Sequence, residues 1–339
     1  MEPSNFKNLL PWGWSDVWAD AWKEAIRLKR VSENSRPARI AAEQRDYLDV
    51  MTVDGPARAE MKGRMRKHDE MRPTIGDWAV LDSSGQIESL LPRLTCLKRK
   101  AAGETEEIQI LASNIDWIFI ATSLNKDFNP RRIERFLVAA RDTAMAGPAA
   151  RVALVFTKAD LGLFDIEDAK TLLQDRLSEI EVITTSSYDG QGVIELRNHI
   201  AIGQTAVFLG TSGVGKSSLV NALLKSDAQT VSESRSDDDK GRHTTTGRQS
   251  FLLPGGGIII DSPGIRELQL ADGTVKIEEE FSDVEALALG CKFTNCRHEN
   301  EKGCVVRSAI EKGELEHDRL DSYKKLKAEI EAKAVRKRR

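Results

Sequence analysis

A multidomain chain is predicted, with an N-terminal OB-type β-barrel, a central α/β domain built on a phosphate-binding loop, and a C-terminal helical segment that holds zinc. Three observations predict it. From Pro37 to about Lys100, short alternating segments are broken by the turn signals Asp54-Gly55 and Ser83-Ser84-Gly85. From about Ile108 to Gly264, apolar strands alternate with helical stretches, and one strand runs straight into Gly210-Thr211-Ser212-Gly213-Val214-Gly215-Lys216-Ser217. Three cysteines and a histidine then crowd into the fourteen positions from Cys291 to Cys304.

Composition sets the outer bounds. A chain of 339 residues that is 40% hydrophobic has room for two or three domains with true cores. Its longest apolar runs, such as Ile115 to Leu124, fall short of the ~20 residues of a membrane span. The N-terminus has no charged start followed by an apolar block, so the cytoplasm is the expected compartment and no membrane partner is expected. Cys96 stands apart from the other three cysteines, which suits metal ligation in a reducing compartment better than a disulfide framework. The net charge of -3 exerts no global pull on nucleic acid. Any RNA contact must come from local patches: Lys62, Arg64, Arg66, Lys67 and His68, or the tail Lys333, Arg336, Lys337, Arg338 and Arg339. Charge runs of this kind are also ordinary solvated surface.

Residues 1–35 form a helical extension carrying four of the six tryptophans, and Trp14, Trp18, Trp22 and Ile26 recur every four positions along a helix that starts after Ser15. Such a stripe packs on the next domain more readily than it serves a dedicated partner. The barrel is assigned to residues 36–103. About five short strands with basic side chains on one hairpin suit an OB-type barrel and oligonucleotide binding, although an SH3-like barrel would give the same pattern. The α/β domain is assigned to 104–272. Its strands are Trp117–Ala121, Val152–Phe156, Val182–Thr185 and Ala206–Leu209, separated by helices at Arg131–Arg141, Asp168–Ser178 and Val193–Ile200, which means a parallel sheet covered on both faces. The stretch Ser232–Lys240 is polar and acidic and is expected to be mobile. Residues 273–339 make up the zinc-binding helical segment and its basic tail.

The chemistry lies in the strand-to-helix turns. In Gly210–Ser217 the glycines let backbone N–H groups wrap phosphates, Lys216 reaches the β and γ oxygens and Ser217 ligates magnesium, with Ser218 opening the helix. Asp261-Ser262-Pro263-Gly264 puts a carboxylate at a strand's C-terminal end, where Asp261 holds magnesium through water and Gly264 senses the γ-phosphate. Alone that tetrapeptide is an ordinary turn; beside the P-loop it gains meaning. Thr157-Lys158-Ala159-Asp160 closes another strand and is similar to the base-reading motif of GTPases: the Asp160 oxygens match the N1–H and N2–H donors of guanine, and the Lys158 stem covers the base. Thr157 stands where such motifs more often carry asparagine, so one amide contact is missing. Thr185-Ser186-Ser187 can direct backbone N–H groups to guanine O6, an assignment that depends on the others because Ser-rich turns are common. In Gly241-Arg242-His243-Thr244-Thr245-Thr246, Thr245 or Thr246 is the candidate switch threonine over magnesium and γ-phosphate, unless the run merely enters a strand at Arg248–Leu253. The base-reading pair precedes the P-loop, the reverse of the Ras order, so the domain is read as circularly permuted.

Cys291-x4-Cys296-x-His298-x5-Cys304 supplies a closed tetrahedral ligand set for one structural zinc, with no position left for water. Its role is to stabilise a segment that has little core of its own.

Together the permuted order, GTSGVGKSSLVN, RHTTT, DSPG and C-x4-C-x-H-x5-C resemble the RsgA (YjeQ) family, over nearly the whole chain. IGDW at Ile75–Trp78 and NIDWIFIATSLNKDFNPRRIERFL from Asn114 add to the likeness. The resemblance implies an OB-fold, a permuted GTPase and a zinc domain. It also implies hydrolysis of GTP to GDP, stimulated by the small ribosomal subunit during its late maturation, with that subunit and its rRNA as partners of a monomer. Ile265 follows the DxxG motif where Ras-type enzymes keep a water-orienting glutamine, so slow intrinsic hydrolysis is expected, and His243 or a ribosomal group is the candidate to place the water. Two other readings stay open: a P-loop ATPase, against which Asp160 speaks, and a nucleotide-independent RNA-binding module with a vestigial core, against which Lys216, Ser217 and Asp261 speak.

Overall fold

The computed structural model describes residues 3–62, 65, 72–125, 128–141, 143–162, 165–173, 180–211, 213–225, 248–261, 281–293, 296–299 and 301–315, except 101–107, together with 317, 319–321, 323, 324, 327 and 328. A 3-10 stretch, Pro3–Trp12, leads into helix α1 (Asp16–Arg27). Trp14, Trp18 and Trp22 are buried with Phe6 and Leu9 against Trp78, and the Trp14 and Trp78 rings meet edge-on at 4.8 Å. The tryptophan stripe therefore packs on the barrel.

The barrel consists of β1 (Arg36–Glu43), β2 (Leu48–Thr52), β3 (Gly55–Met61), β4 (Trp78–Leu81) and β5 (Gln86–Leu90). Its strands run in the order β1-β2-β3-β5-β4, with β3 and β5 parallel and β4 closing back on β1. That closure is the OB topology, and it settles the choice against an SH3-like barrel. Strand β4 is buried on both faces: Ala79 and Leu81 fill the barrel with Ile40, Val50 and Ile87, while Trp78 and Val80 meet the tryptophan cluster. A register shift between Ile40 and Ala42 divides β1. Its first half pairs with β4, and beyond the shift Ala42 pairs with Gln249 of the central sheet, the re-aiming that a bulge provides.

A two-stranded ribbon, β6 (Cys96–Lys100) and β7 (Ile108–Ser113), leads to the central sheet. The strands there are β8 (Trp117–Ser123), β9 (Arg151–Thr157), β10 (Glu181–Thr184), β11 (Thr205–Leu209), β12 (Gln249–Leu252) and β13 (Ile258–Asp261). They lie in the order β10-β9-β8-β11-β13-β12, all parallel except β12. Helices α2 (Pro130–Arg141) and α3 (Ile166–Leu173) cover one face through Ile133, Leu137, Ala169 and Leu173. Helices α4 (Val193–Asn198) and α5 (Lys216–Lys225) cover the other through Leu196, Leu219 and Leu223. Two-sided burial explains why the strands read as unbroken apolar runs rather than alternating ones.

Beyond the sheet, α6 (Ser282–Leu289) and α7 (Val305–Glu311) flank the cysteine cluster, and the described positions of 317–328 are helical. Phe281, Val284, Val306, Leu320 and Tyr323 pack with Val138 and Ala139 of α2, so this segment is seated on the central domain. No helix among the described residues is long and apolar enough to cross a membrane.

Candidate nucleotide site and metal centre

The parallel strands bring the candidate residues to one end of the sheet. In register, Leu209 lies beside Ile120, Ser123 beside Thr157, and Thr184 beside Phe156, so the turns that follow β11, β9 and β10 share an edge. Motifs that come out of the usual order along the chain are thus neighbours in space. Asp261 ends β13 on the other side of β11, half-buried and opposite Gln249 of β12.

Between β11 and α5, the backbone of the P-loop runs close to β8. A Cβ on Gly210, whose φ is +150°, would meet Ala121 O at 2.5 Å, so only glycine fits there. Lys216 Nζ donates to Gly210 O and Thr211 O, both at 2.6 Å, which centres the ammonium on the loop. Val214 is buried, whereas Ser217 and Ser218 are exposed on the first turn of α5.

The base-reading turn is stitched to this loop. Thr157 Oγ1 donates to Val214 O at 2.6 Å, with Thr122 O a second acceptor at 3.3 Å, and Lys158 Nζ donates to Gly213 O at 2.7 Å. In the sequence Thr157 reads as a nucleotide-binding residue of the base-reading motif that lacks the usual amide; in the fold its hydroxyl ties two motifs 57 residues apart. Lys158 adopts φ +60°, the left-handed region where a side chain is uncommon, and then Ala159–Leu161 forms a 3-10 turn that leaves Asp160 exposed. Ala159 N donates to Thr185 O at 3.2 Å, which places the third turn beside the second. Within that third turn, Thr185 N and Oγ1 both donate to Phe156 O, and Ser186 Oγ accepts from Tyr188 N. Ser186 N donates to Gln191 O, while Ser187 is exposed. Gly192 is forced: its φ is +68° and a Cβ would lie 1.9 Å from Thr184 O. Ser212, His243, Thr245, Thr246, Gly264 and Ile265 lie outside the described residues, as do Arg64, Arg66, Lys67, His68, the stretch Ser232–Lys240 and the basic tail.

In the metal cluster the ligand atoms of Cys291, Cys296, His298 and Cys304 all lie within 4.8 Å of one another. His298 Nδ1 is 3.4 Å from Cys304 Sγ and 3.6 Å from Cys291 Sγ, and the two sulfurs are 3.9 Å apart. Zinc bonds of ordinary length at a tetrahedral centre give edges of about 3.5 Å between nitrogen and sulfur and about 3.8 Å between sulfurs, so the donor set fits one zinc ion. Burial, reinforced by the Lys324 charge, holds the His298 imidazole below its ordinary pKa and so neutral, the form that ligates. Cys304 also caps α7, its sulfur accepting from Arg307 N.

Two polar joints escaped sequence reading. Arg248 Nη1 reaches Glu43, Thr74 Oγ1 and Ile110 O, beside the backbone bond from Glu43 N to Arg248 O. Arg319, 4% exposed, donates to Glu134 Oε1 at 3.0 Å and to both oxygens of Asp283 at 2.6 and 2.8 Å. The available signal was Glu134 itself, an acid inside the run Ile133–Ala140 that is otherwise apolar but for Arg135.

The RsgA GTPase family profile matches residues 90–271. The chain belongs to the RsgA GTPase family. Small ribosomal subunit biogenesis GTPase RsgA 2 of Lactiplantibacillus plantarum is 40% identical over 322 residues, 93% of this chain and 89% of that protein. The protein of the same name from Vibrio parahaemolyticus is 41% identical over 309 residues, 91% of this chain and 83% of its own length. Among solved structures, YjeQ from Thermotoga maritima superposes with a TM-score of 0.61 at 24% identity, covering 87% of this chain and 98% of that one. YloQ, described as a circularly permuted GTPase, gives 0.57 at 23%, covering 89% and 96%. These two likenesses concern the fold, and they agree with the barrel closure and the sheet order described above.

Proposed function

We propose that this RsgA-family chain hydrolyses GTP to GDP and phosphate, stimulated by the small ribosomal subunit, during late maturation of that subunit. One observation carries the nucleotide part of the reading: the bonds from Thr157 and Lys158 to Val214 and Gly213 join the base-reading turn to the phosphate-binding loop. A single ligand can then span both. Asp160 accepts from the guanine N1–H and N2–H, the Lys158 stem covers the ring, and Ser186 and Ser187 shape the turn near O6. Gly210 to Ser218, with Thr211, Ser212, Gly213, Val214 and Gly215, cradle the phosphates, and Lys216 neutralises the β and γ oxygens.

Ser217, Thr245 and the Asp261 carboxylate offer the oxygen donors that magnesium takes in such sites, Asp261 through water, and Gly264 turns its amide to the γ-phosphate. Magnesium there offsets the charge on the phosphates. His243, or a ribosomal group supplied in trans, orients the attacking water. Zinc on Cys291, Cys296, His298 and Cys304 is structural, since all four positions are filled by protein. The names of the L. plantarum and V. parahaemolyticus relatives support the ribosomal role. In this reading the division at 1–35, 36–103, 104–272 and 273–339 separates extension, RNA-contacting barrel, GTPase and zinc segment of a cytoplasmic monomer, with rRNA phosphates bound by the basic residues around Arg64 and Lys67 and by the tail.

Exchange of the base-reading acid tests the core of the proposal. Asp160→Asn should weaken GTP relative to xanthosine triphosphate, because an amide can donate to the 2-oxo group of xanthine. Unchanged preference for GTP over both xanthosine triphosphate and ATP would refute the assignment.

A further inference from the structure

The P-loop has two ends with different neighbours. At Gly213 it meets Lys158 of the base-reading turn, and at Gly210 and Thr211 its carbonyls hold the Lys216 ammonium, which marks the end that receives the β and γ phosphates. A crevice of about 10 Å³, the space of one water, lies against this second end. Thr122 and Ser123 from the end of β8, Thr211 and Val214 from the P-loop, and Asn129 and Arg132 from the start of α2 line it. The narrowness of the crevice puts the first turn of α2 directly beside the loop.

That turn is held in place. Arg132 N donates to Asn129 O at 3.1 Å and to Asn129 Oδ1 at 3.4 Å, while Ile133 and Phe136 anchor the helix in the core. Glu134, two positions on, is taken up by Arg319 on the opposite side. The Arg132 side chain is exposed, and its guanidinium pairs with none of the described residues. An arginine on a fixed helical turn, with no side-chain partner among the described residues, thus borders the phosphate end of the loop. The sequence supplies the need for it, since Ile265 can neither orient water nor neutralise charge.

We propose that Arg132 is a catalytic residue that contacts the γ-phosphoryl oxygens in the transition state, an arginine supplied by the chain to its own active site. The proposal rests on the GTP-hydrolysis reading above. In the step, the water oxygen bonds to the γ phosphorus and the bond from that phosphorus to the β–γ bridging oxygen breaks. The electron pair of the broken bond stays on the β-phosphate of GDP, and the proton lost by the water ends on inorganic phosphate. Arg132 stays protonated throughout. It donates hydrogen bonds to equatorial oxygens whose negative charge is spread in the loose transition state, on the side away from Lys216.

The test is single-turnover GTP hydrolysis by full-length parent, Arg132→Ala and Arg132→Lys proteins at saturating small ribosomal subunits, with affinity for a fluorescent GDP analogue measured alongside. Arg132→Ala should lower the stimulated rate by about 10²-fold or more, within the scale of arginines that act on this transition state. Arg132→Lys should recover little, because an ammonium lacks the planar fork. GDP affinity should stay within about twofold for all three, and only the parent should trap GDP with aluminium fluoride. A stimulated rate for Arg132→Ala within about threefold of the parent, or a parallel collapse of GDP binding, overturns the proposal. A parent that hydrolyses no GTP with subunits present refutes the hydrolysis reading itself, whatever the variants do.

Discussion

The central domain is joined to its two neighbours in unlike ways. On the barrel side the joint is made of backbone: β1 leaves the barrel, passes its register shift and pairs with β12, so one sheet runs through both domains. Buried and half-buried polar groups reinforce it. Arg39 donates to Asn114 O and Thr205 Oγ1, Asp77 takes Arg93 at 2.7 Å and Ser113 Oγ at 2.6 Å, and Arg248 meets Glu43 at 3.2 Å. Burial pushes the Arg39 guanidinium down to about 10, a sign of how fully it is withdrawn from water. On the zinc side no strand crosses among the described residues. There the described joint is made of side chains, an apolar cluster on Val138 and Ala139 with Arg319 bridging Glu134 and Asp283.

The difference teaches where each neighbour takes its position from. The barrel is tied to the strand that lies between the P-loop helix and Asp261, so its placement is distributed over many bonds. The C-terminal segment takes its seat from α2 and a few side chains, with the Cys291, Cys296, His298 and Cys304 cluster inside it. Damage to the zinc side should therefore be concentrated, whereas damage to the barrel side should be shared and smaller per residue.

The largest expected effect comes from Cys296→Ser or zinc chelation. A structural zinc contributes apparent free energy on the order of 10 kcal/mol to small domains, so hydrogen exchange should accelerate throughout 281–328 while 36–100 keeps its protection. Loss of protection in the barrel as well would break the comparison. Next is Arg319→Met, which strands the Glu134 carboxylate, 2% exposed, without its guanidinium. Urea unfolding should show a loss of about 3–5 kcal/mol, the cost of breaking a buried ion pair by removing one partner. A smaller loss is expected for Arg248→Ala. Glu43 keeps Thr74 Oγ1 and Ile75 N as donors, so the cost should be about 1–2 kcal/mol by the same measurement. A loss larger than that of Arg319→Met would reverse the ranking of the two joints.

The smallest effect leaves both joints untouched. Burial by itself would lower the His199 pKa, but the Glu181 carboxylate 2.8 Å from Nε2 and the Glu195 carbonyl at Nδ1 raise it overall. A raised folded pKa means that protonated His199 stabilises the fold, fully so below the unfolded value near 6.5 and progressively less as pH rises through the folded value. Because Glu181 is half exposed, the contribution should stay below about 1 kcal/mol. Unfolding from pH 6 to 9 should show this decline in the parent and a flatter curve in His199→Gln.

Much of the candidate nucleotide site and of the cysteine–histidine cluster was legible in the chain because the signals are local. The glycines of the P-loop, the apolar runs that carry each motif to a strand end, and the four metal ligands within fourteen positions each constrain a short stretch of backbone. The tryptophan stripe was legible for the same reason: helical spacing puts Trp18 and Trp22 on one face of α1, and Trp14, just before the helix begins, joins them in the cluster. The second role of Thr157 was not. A hydroxyl in a strand reads only as β propensity until the loop carrying Val214 is folded against it.

From residues alone, then, came the domain classes, the motif order and the donor sets, since turn geometry, hydrophobic period and ligand chemistry act over a few neighbouring positions. Folding in three dimensions alone could choose the OB closure over its rival, join β1 to β12, send Arg319 to Glu134 across 185 residues and bring Arg132 beside Thr211. Those contacts connect positions whose separation along the chain carries no periodic or chemical mark. They exist only because burying the faces of the sheet leaves each buried charge and each open strand edge a single place to be satisfied.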